Sequence, residues 1–351
     1  MRILSGIRPT GDLHLGNYLG AIKNWVELQE KKGNSCFFFI ADYHSLTEDL
    51  ISAKDKQAQI EEMAIDLLAL GLDPKKSVLF IQSHLSEPTE LAWIFDCLTP
   101  IGELERMTQF KDKSQRQTEN INAGLFTYPS LMAADILLYK ADAVPVGDDQ
   151  LQHLEFTRET SRRFNKRYGK VFPEPKSLLT KVPRLMSLKN PLEKMSKSVG
   201  DSYIGVFDEP KEIFEKIKIA PTASNDLFKT IHVVDGDFVF EPNQRGAGHP
   251  EFEKMSAGIR NLLLILQEFN RPKFEKLLHG NEVDLDNLKY SELKNDLAKA
   301  IVNHFAPLRQ KRVELLKNKK RVLKFYQEGA KKARAVAQKT LKEVKEKIGL
   351  I

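Results

Sequence analysis

Short apolar runs alternate with helical patterns through the first half of the chain, and this alternation restricts the possible folds more than any other feature. Apolar runs of strand length lie at residues 2–7, 36–41, 78–81 and 143–146. Between them, apolar residues recur at helical spacing over 55–72, 90–98 and 124–139. The pattern predicts an α/β fold with a doubly wound, parallel, Rossmann-like sheet. Such sheets bind ligands at the carboxyl ends of their strands.

The second half of the chain has a different pattern. Helical spacing dominates over residues 211–218, 251–267, 290–303 and 306–346, while 231–250 is turn-rich and carries either a small hairpin or a loop. We therefore predict a Rossmann-like domain over residues 1–200 and an all-helical C-terminal domain over 201–351. The last helix could instead pack back on the first domain.

Composition limits the class of protein. Of 351 residues, 41% are hydrophobic and 29% charged, which is typical of a soluble globular chain. We find no signal peptide and no run long enough to span a bilayer, so the chain is predicted to be cytoplasmic and without a membrane partner. Two cysteines, Cys36 and Cys97, make a structural disulfide or a cysteine-bound metal improbable.

Positive charge is concentrated near the C-terminus. Residues 301–351 carry 15 Lys or Arg against four Glu, a net +11, which leaves −5 for the remainder of a chain whose net charge is +6. A basic helical surface of this kind suits a phosphate-backbone partner, although a solvated lysine-rich surface is the alternative.

Two segments have residues suited to binding phosphates. After the first strand come a glycine-rich turn and His14-Leu15-Gly16-Asn17, whose backbone N–H groups and side chains could donate to a nucleotide. Far along the chain, Lys194-Met195-Ser196-Lys197-Ser198 places two ammonium groups on one short loop. Neither the GxGxxG nor the GxxxxGK[ST] motif is present.

Asp135 is unusual because it lies within an otherwise apolar helical run, residues 131–138. Burying a carboxylate costs roughly several kcal/mol of folding free energy unless a hydrogen-bond donor satisfies it. That donor could be an arginine or backbone amides of the protein, or an N–H group of a ligand.

The two phosphate segments together resemble the HIGH and KMSKS motifs of the class I aminoacyl-tRNA synthetases. Longer matches narrow the resemblance to the bacterial-type tryptophanyl-tRNA synthetases, and it covers nearly the whole chain. The matching stretches begin at Gly102, Tyr128, Leu131, Val144, Gln152 and Arg163 and read GELERMTQFK, YP, LMAADILLY, VPVGDDQ, QHLE and RFN.

The resemblance implies a tryptophan–tRNA ligase. Such an enzyme activates L-tryptophan with ATP to tryptophanyl-adenylate and pyrophosphate, and then transfers tryptophan to the terminal ribose of tRNA(Trp). It also implies a homodimer, a C-terminal domain that binds the tRNA anticodon, and Mg²⁺ bound with ATP rather than at a metal site of the protein.

Site residues follow from the same resemblance. The implied catalytic residues are Lys194, Lys197, His14, Asn17 and Ser196. The implied ATP-binding residues are Arg8, Pro9, Thr10, Gly16, Asn17, Gly147, Asp148, Asp149, Leu185, Lys194, Met195, Ser196, Lys197 and Ser198. The implied tryptophan-binding residues are Asp135, Tyr128, Met132, Gln150, Val144, Val146, Gly6, Leu4 and His44, with Asp135 accepting the indole N–H.

Structural roles compete with several of these assignments. The pocket residues other than Asp135 could simply pack in the core or satisfy a loop, and Asp148 and Asp149 could cap a helix. The chain also departs from many relatives after the lysine loop, where Val199-Gly200 replaces Asp-Pro.

Three other functions compete with this one. A tyrosyl-tRNA synthetase shares the fold and both motifs. A nucleotidyltransferase of the same superfamily would use a small acceptor, which the basic C-terminal helices argue against. The presence of His14, Asp135, Lys194 and Lys197 argues against a catalytically silent amino-acid sensor, because a sensor has no need of a pyrophosphate clamp.

Overall fold

The structure is a computed structural model that describes residues 1–47, 51–108, 110, 121–179, 185–195, 202–222, 226–283 and 288–351. The chain divides into two compact units. Unit 1 comprises Met1–Gly11, Ala21–Lys181 and Arg312–Ile351, and unit 2 comprises Asp12–Gly20 and Val182–Lys311. The division into domains 1–200 and 201–351 stays a prediction.

Strands and helices alternate as the sequence predicts. The strands are β1 (Arg2–Ile7), β2 (Ser35–Ile40), β3 (Ser77–Ile81), β4 (Ala143–Val146), β5 (Lys176–Leu179), β6 (Phe228–Val234), β7 (Asp237–Pro242), β8 (Leu278–His279) and β9 (Glu282–Val283). The helices are α1 (Leu15–Asn17), α2 (Lys23–Glu30), α3 (Asp42–Ser45), α4 (Ala53–Ala69), α5 (Glu87–Asp96), α6 (Ile101–Glu105), α7 (Ala123–Leu138), α8 (Leu151–Tyr168), α9 (Pro210–Ile219), α10 (Phe252–Phe269), α11 (Arg271–Glu275), α12 (Tyr290–Leu316) and α13 (Lys319–Ile348).

Unit 1 is built on a parallel five-stranded sheet in the order β3-β2-β1-β4-β5. The predicted Rossmann-like fold is confirmed, and the four predicted strands agree with the observed ones to within one residue at every end. The additional edge strand β5, KSLL, lacks the continuous apolar run of the central strands and was not predicted. Because all strands are parallel, the segments after β1, β2, β3 and β4 meet at one edge of the sheet.

The last helix, α13, packs in unit 1 against β3, α4 and α5. Its buried face is lined by small residues, among them Gly329, Ala330, Ala333 and Ala337. The preceding helix α12 continues through Pro307, where the sequence predicted an interruption near residues 303–306. The break comes instead at Asn318, whose side chain accepts a hydrogen bond from the backbone N–H of Arg321 and so caps α13.

Unit 2 is mainly helical but also contains a four-stranded antiparallel sheet in the order β7-β6-β9-β8, so the all-helical description of this region was incomplete. Asp235 and Gly236 join β6 to β7 with positive φ angles of 52° and 85°, as in a type I′ hairpin turn. Of the two alternatives that the sequence left open for residues 231–250, a small hairpin or a loop, the structure contains the hairpin. Strands of two residues, such as β8 and β9, are too short for a periodicity to reveal.

Among the helices in the described ranges, none combines the length and the apolar character that crossing a bilayer requires.

Candidate active site

Asp135 lies in α7 and is 2% exposed. Gln82 Nε2 donates to its carboxylate, at 2.9 Å from Oδ1 and 2.7 Å from Oδ2. His44 Nε2 lies 2.9 Å from Oδ2, a distance at which a protonated Nε2 donates to the carboxylate. An ionised carboxylate has about four lone-pair positions, so it retains capacity to accept one more N–H group.

The sheet brings these three residues together. Gln82 follows directly on β3, and His44 lies in α3, which begins two residues after β2. Their side chains therefore reach Asp135 from the carboxyl ends of neighbouring strands. The Gln82 amide is fixed at its other end as well, because its Oε1 accepts from the backbone N–H of Tyr43 at 3.2 Å.

Burial raises the pKa of Asp135 above its ordinary value. Hydrogen bonds and charge from His44 and the hydrogen bond from Gln82 oppose this rise, whereas the nearby Asp42 carboxylate adds to it. The result is a desolvated carboxylate held in one orientation, which is the environment in which an unpaired acceptor is most costly.

A second polar pair lies beside the first. Tyr128, also in α7, has its hydroxyl 2.6 Å from His153 Nε2 in α8, and its ring makes an edge contact with His44. Burial raises the pKa of Tyr128, while the positive charge of Arg8 acts to lower it. Arg8 follows β1 directly. The charge of this predicted nucleotide-binding residue therefore acts within unit 1 on Tyr128, a predicted tryptophan-binding residue.

The apolar residues assigned to tryptophan binding belong to the core of the sheet. Leu4, Val144 and Val146 are 1%, 3% and 5% exposed, and Met132 packs against the same core while remaining partly accessible. Gly6 is exposed on β1, opposite Phe39 of β2. Structural packing therefore accounts for Leu4, Val144 and Val146 without any ligand.

The segment after β4 completes this edge of the sheet. Gln150 is partly buried, Asp149 is exposed, and the backbone N–H of Gln150 donates to the Gly147 carbonyl at 3.0 Å. Asp148 lies in the same turn. On the β1 side, Pro9 is buried and Thr10 is half-buried, with its backbone N–H 2.9 Å from the Arg8 carbonyl.

The remaining predicted nucleotide residues that the structure describes lie in unit 2. His14 is buried, and its backbone N–H donates to Asn17 Oδ1 at 3.1 Å across the start of α1. A Cβ on Gly16 would lie 2.9 Å from the imidazole ring of His14, so glycine at this position is what lets the ring lie over the backbone. A π-helical turn, Tyr18–Ile22, follows α1.

The lysine loop begins in a small antiparallel bridge between Met186 and Lys194. Leu185 and Met195 are buried, and the Met195 N–H donates to the Leu185 carbonyl at 3.1 Å, whereas the Lys194 residue is exposed. Asn261 of α10 holds the bridge by bonding both the N–H and the carbonyl of Met186. The predicted residues Ser196, Lys197 and Ser198, and the Val199-Gly200 pair, lie outside the described residues.

Comparison with known proteins decides the family. A family model described as tRNA synthetases class I (W and Y) matches residues 1–306. The chain belongs to this family.

Of the two specificities in this family, tryptophan and tyrosine, relatives that match over nearly their whole length have the tryptophan specificity. A tryptophan–tRNA ligase from Wolinella succinogenes is 44% identical, over 100% of this chain and 99% of that protein. Among solved structures, the tryptophanyl-tRNA synthetase of Campylobacter jejuni complexed with ADP and tryptophan superposes with a TM-score of 0.79 at 33% identity, covering 99% and 100% of the two chains. That of Mycoplasma pneumoniae gives 0.82 at 34% identity, covering 99% and 97%.

The sequence analysis of this synthetase missed two residues whose side chains hydrogen-bond to predicted site residues: Gln82, which bonds Asp135, and His153, which bonds Tyr128. Gln82 was not singled out, although a polar residue directly after a buried strand was a usable signal at a ligand-binding edge. His153, 2% exposed, was noted only as part of a matching motif, and its contact with Tyr128 depends on the packing of α7 against α8.

Proposed function

We propose that the protein is a tryptophan–tRNA ligase. It activates L-tryptophan with ATP, forming tryptophanyl-adenylate and pyrophosphate, and then transfers the tryptophanyl group to tRNA(Trp). Membership of the family and the full-length similarity to tryptophan–tRNA ligases support this reaction.

The single observation that carries the choice of amino acid is the geometry at Asp135. Its carboxylate is buried, oriented by Gln82 and His44, and able to accept one further N–H group. The indole N–H of tryptophan is such a donor. Phenylalanine lacks it, and would leave a desolvated carboxylate without its partner.

Activation is attack of the tryptophan carboxylate on the α-phosphate of ATP. The new bond joins a carboxylate oxygen to phosphorus, and the bond to the bridging oxygen of pyrophosphate breaks. Positioning and charge stabilisation accelerate this chemistry more than covalent catalysis does. We assign positioning of the nucleotide to Arg8, His14 and Asn17, and charge stabilisation of the departing pyrophosphate to Lys194 and Lys197.

The remaining assignments rest on the family. We propose that tRNA(Trp) binds the basic C-terminal helices, that the enzyme is a cytoplasmic homodimer, and that Mg²⁺ arrives on the phosphates of ATP. The carboxylates and histidines of the described ranges include no group of three suited to a metal ion. ATP, by contrast, carries its own oxygen ligands for Mg²⁺.

Amino-acid-dependent ATP–pyrophosphate exchange, run with each of the twenty amino acids, tests the proposal. We expect exchange with tryptophan alone. Exchange with tyrosine would indicate the other specificity of the family, and no exchange with any amino acid would exclude a working synthetase.

A further inference from the structure

The C-terminal helix α13 contacts the support of the Asp135 carboxylate. Arg334 of α13 donates a hydrogen bond from Nη2 to the backbone carbonyl of His84. His84 ends the short 3₁₀ turn Gln82–His84, whose first residue holds Asp135. The Arg334 guanidinium also lies 3.8 Å from Glu87, a buried carboxylate in the first turn of α5.

The helix approaches β3 closely just before this contact. A Cβ on Gly329 would overlap the backbone carbonyl oxygen of Leu79, so only glycine allows α13 to lie directly on the strand. Leu79 lies in β3, three residues before Gln82, and Arg334 is five residues after Gly329 on the helix. One helix thus fixes both the strand and the turn that follows it.

Electrostatic effects agree with this geometry. Burial raises the pKa of Tyr139, and the charges of Asp135 and Glu87 raise it further while that of Arg334 opposes them. Burial lowers the pKa of His84, the Asp42 carboxylate opposes this, and the charge of Arg334 acts in the same direction as burial. Arg334 therefore acts on the same buried region as Asp135 without touching it.

We propose that Arg334 is a positioning residue for amino-acid selection: by holding the Gln82–His84 turn, it keeps the Gln82 amide on the Asp135 carboxylate and so keeps that carboxylate aimed at the substrate. This inference rests on the proposed function and extends it, since it makes the C-terminal helix part of the support of the tryptophan site.

Arg334→Met removes the donor and the charge while preserving most of the side chain's bulk. We expect the KM for tryptophan in pyrophosphate exchange to rise about tenfold, because a buried polar group loses its support. The KM for ATP should stay within about twofold, since the nucleotide residues of unit 2 are untouched.

Lys345→Met is the matched control. Lys345 lies on the same helix and pairs with Glu90 of the same helix α5, but it does not touch the Gln82–His84 turn. We expect a similar loss of thermal stability and a tryptophan KM within about twofold of wild type. An equal rise in the tryptophan KM in this variant would overturn the proposal, as would an unchanged KM in Arg334→Met.

Arg334→Lys keeps a charge and one donor, and serves if the methionine variant does not fold. We expect a tryptophan KM between those of the wild type and a Gln82→Met variant, and a KM equal to the wild type's would count against a role for the arginine fork.

Combining the changes tests whether Arg334 acts through Gln82. In a Gln82→Met background, Arg334→Met should raise the tryptophan KM no further, and an additional tenfold rise would show an independent effect. Wild-type exchange with tryptophan tests the proposed function by itself, whereas these differences between variants test only the inference.

Discussion

The two groups of predicted site residues are held in different ways. Around Asp135, in unit 1, buried side chains bond one another: Gln82 and His44 bond the carboxylate, and His153 bonds Tyr128. In unit 2, the His14 segment and the lysine loop have hydrogen bonds that involve backbone groups, paired with each other or with the Asn17 and Asn261 side chains, and Lys194 is exposed. Selection of an amino acid needs a fixed, desolvated partner. Charge stabilisation of a polyphosphate needs cations that reach solvent and phosphate.

The largest effect is expected at Asp135, because removing a buried acceptor leaves the Gln82 amide and His44 unpaired as well. Asp135→Ala should lower kcat/KM for tryptophan in pyrophosphate exchange by about 10³-fold. The KM for ATP is the internal control and should change little. A loss below about tenfold would mean that the indole N–H is recognised elsewhere.

Lys194→Ala should slow activation by about 10²-fold, the order found when one group that stabilises developing charge is removed. Rapid-quench measurement of adenylate formation separates this step from binding. Since Lys194 is exposed, the thermal midpoint should stay near that of the wild type. A variant with normal chemistry would transfer the role to Lys197.

Gly16 and Gly20 give a matched pair within one segment. A Cβ on Gly16 would meet the His14 ring at 2.9 Å, whereas one on Gly20 would meet no atom within 4 Å. Gly16→Ala should therefore displace the His14 ring and raise the KM for ATP about tenfold, as expected when one substrate contact is misplaced. Gly20→Ala should leave it unchanged. Equal effects would show that the His14 ring does not position the nucleotide.

The smallest effect concerns stability. Because the folded-state pKa of Asp135 is raised above 3.8, its contribution to stability is fully present below that value and is lost as pH rises through the folded pKa. Asp135→Asn lacks this titration. Urea unfolding across about pH 4 to 8 should show the variant gaining stability relative to wild type as pH increases. Parallel pH profiles would contradict the raised pKa.

Sequence periodicity was sufficient for the central strands and the main helices, because their apolar spacing is a local property. It also singled out Asp135, since a carboxylate inside an apolar run is costly wherever that run packs. The partners of Asp135 were harder to predict. His44 was placed among the tryptophan-binding residues by the resemblance, and Gln82 follows a buried strand directly. Their hydrogen bonds to Asp135 form because three distant segments meet at one edge of the sheet, and the choice of these partners is not a local property.

The observed secondary structure differs from the predicted one at two other places. Helical spacing over 290–303 and 306–346 predicted an interruption between residues 303 and 306, but α12 continues through Pro307 to Leu316. The strands β8 and β9 are two residues each and exist because they pair with β6. Roles at Lys197, Ser196 and Ser198 remain predictions of the sequence.

Equilibrium dialysis with labelled tryptophan, in the absence of ATP, tests the division of roles most directly. Asp135→Asn should raise the Kd for tryptophan about tenfold or more, the order of one hydrogen bond to a charged group, whereas Lys194→Ala should leave it within about twofold. Equal loss of tryptophan binding in the two variants would contradict the assignment of selection to Asp135 and of charge stabilisation to Lys194.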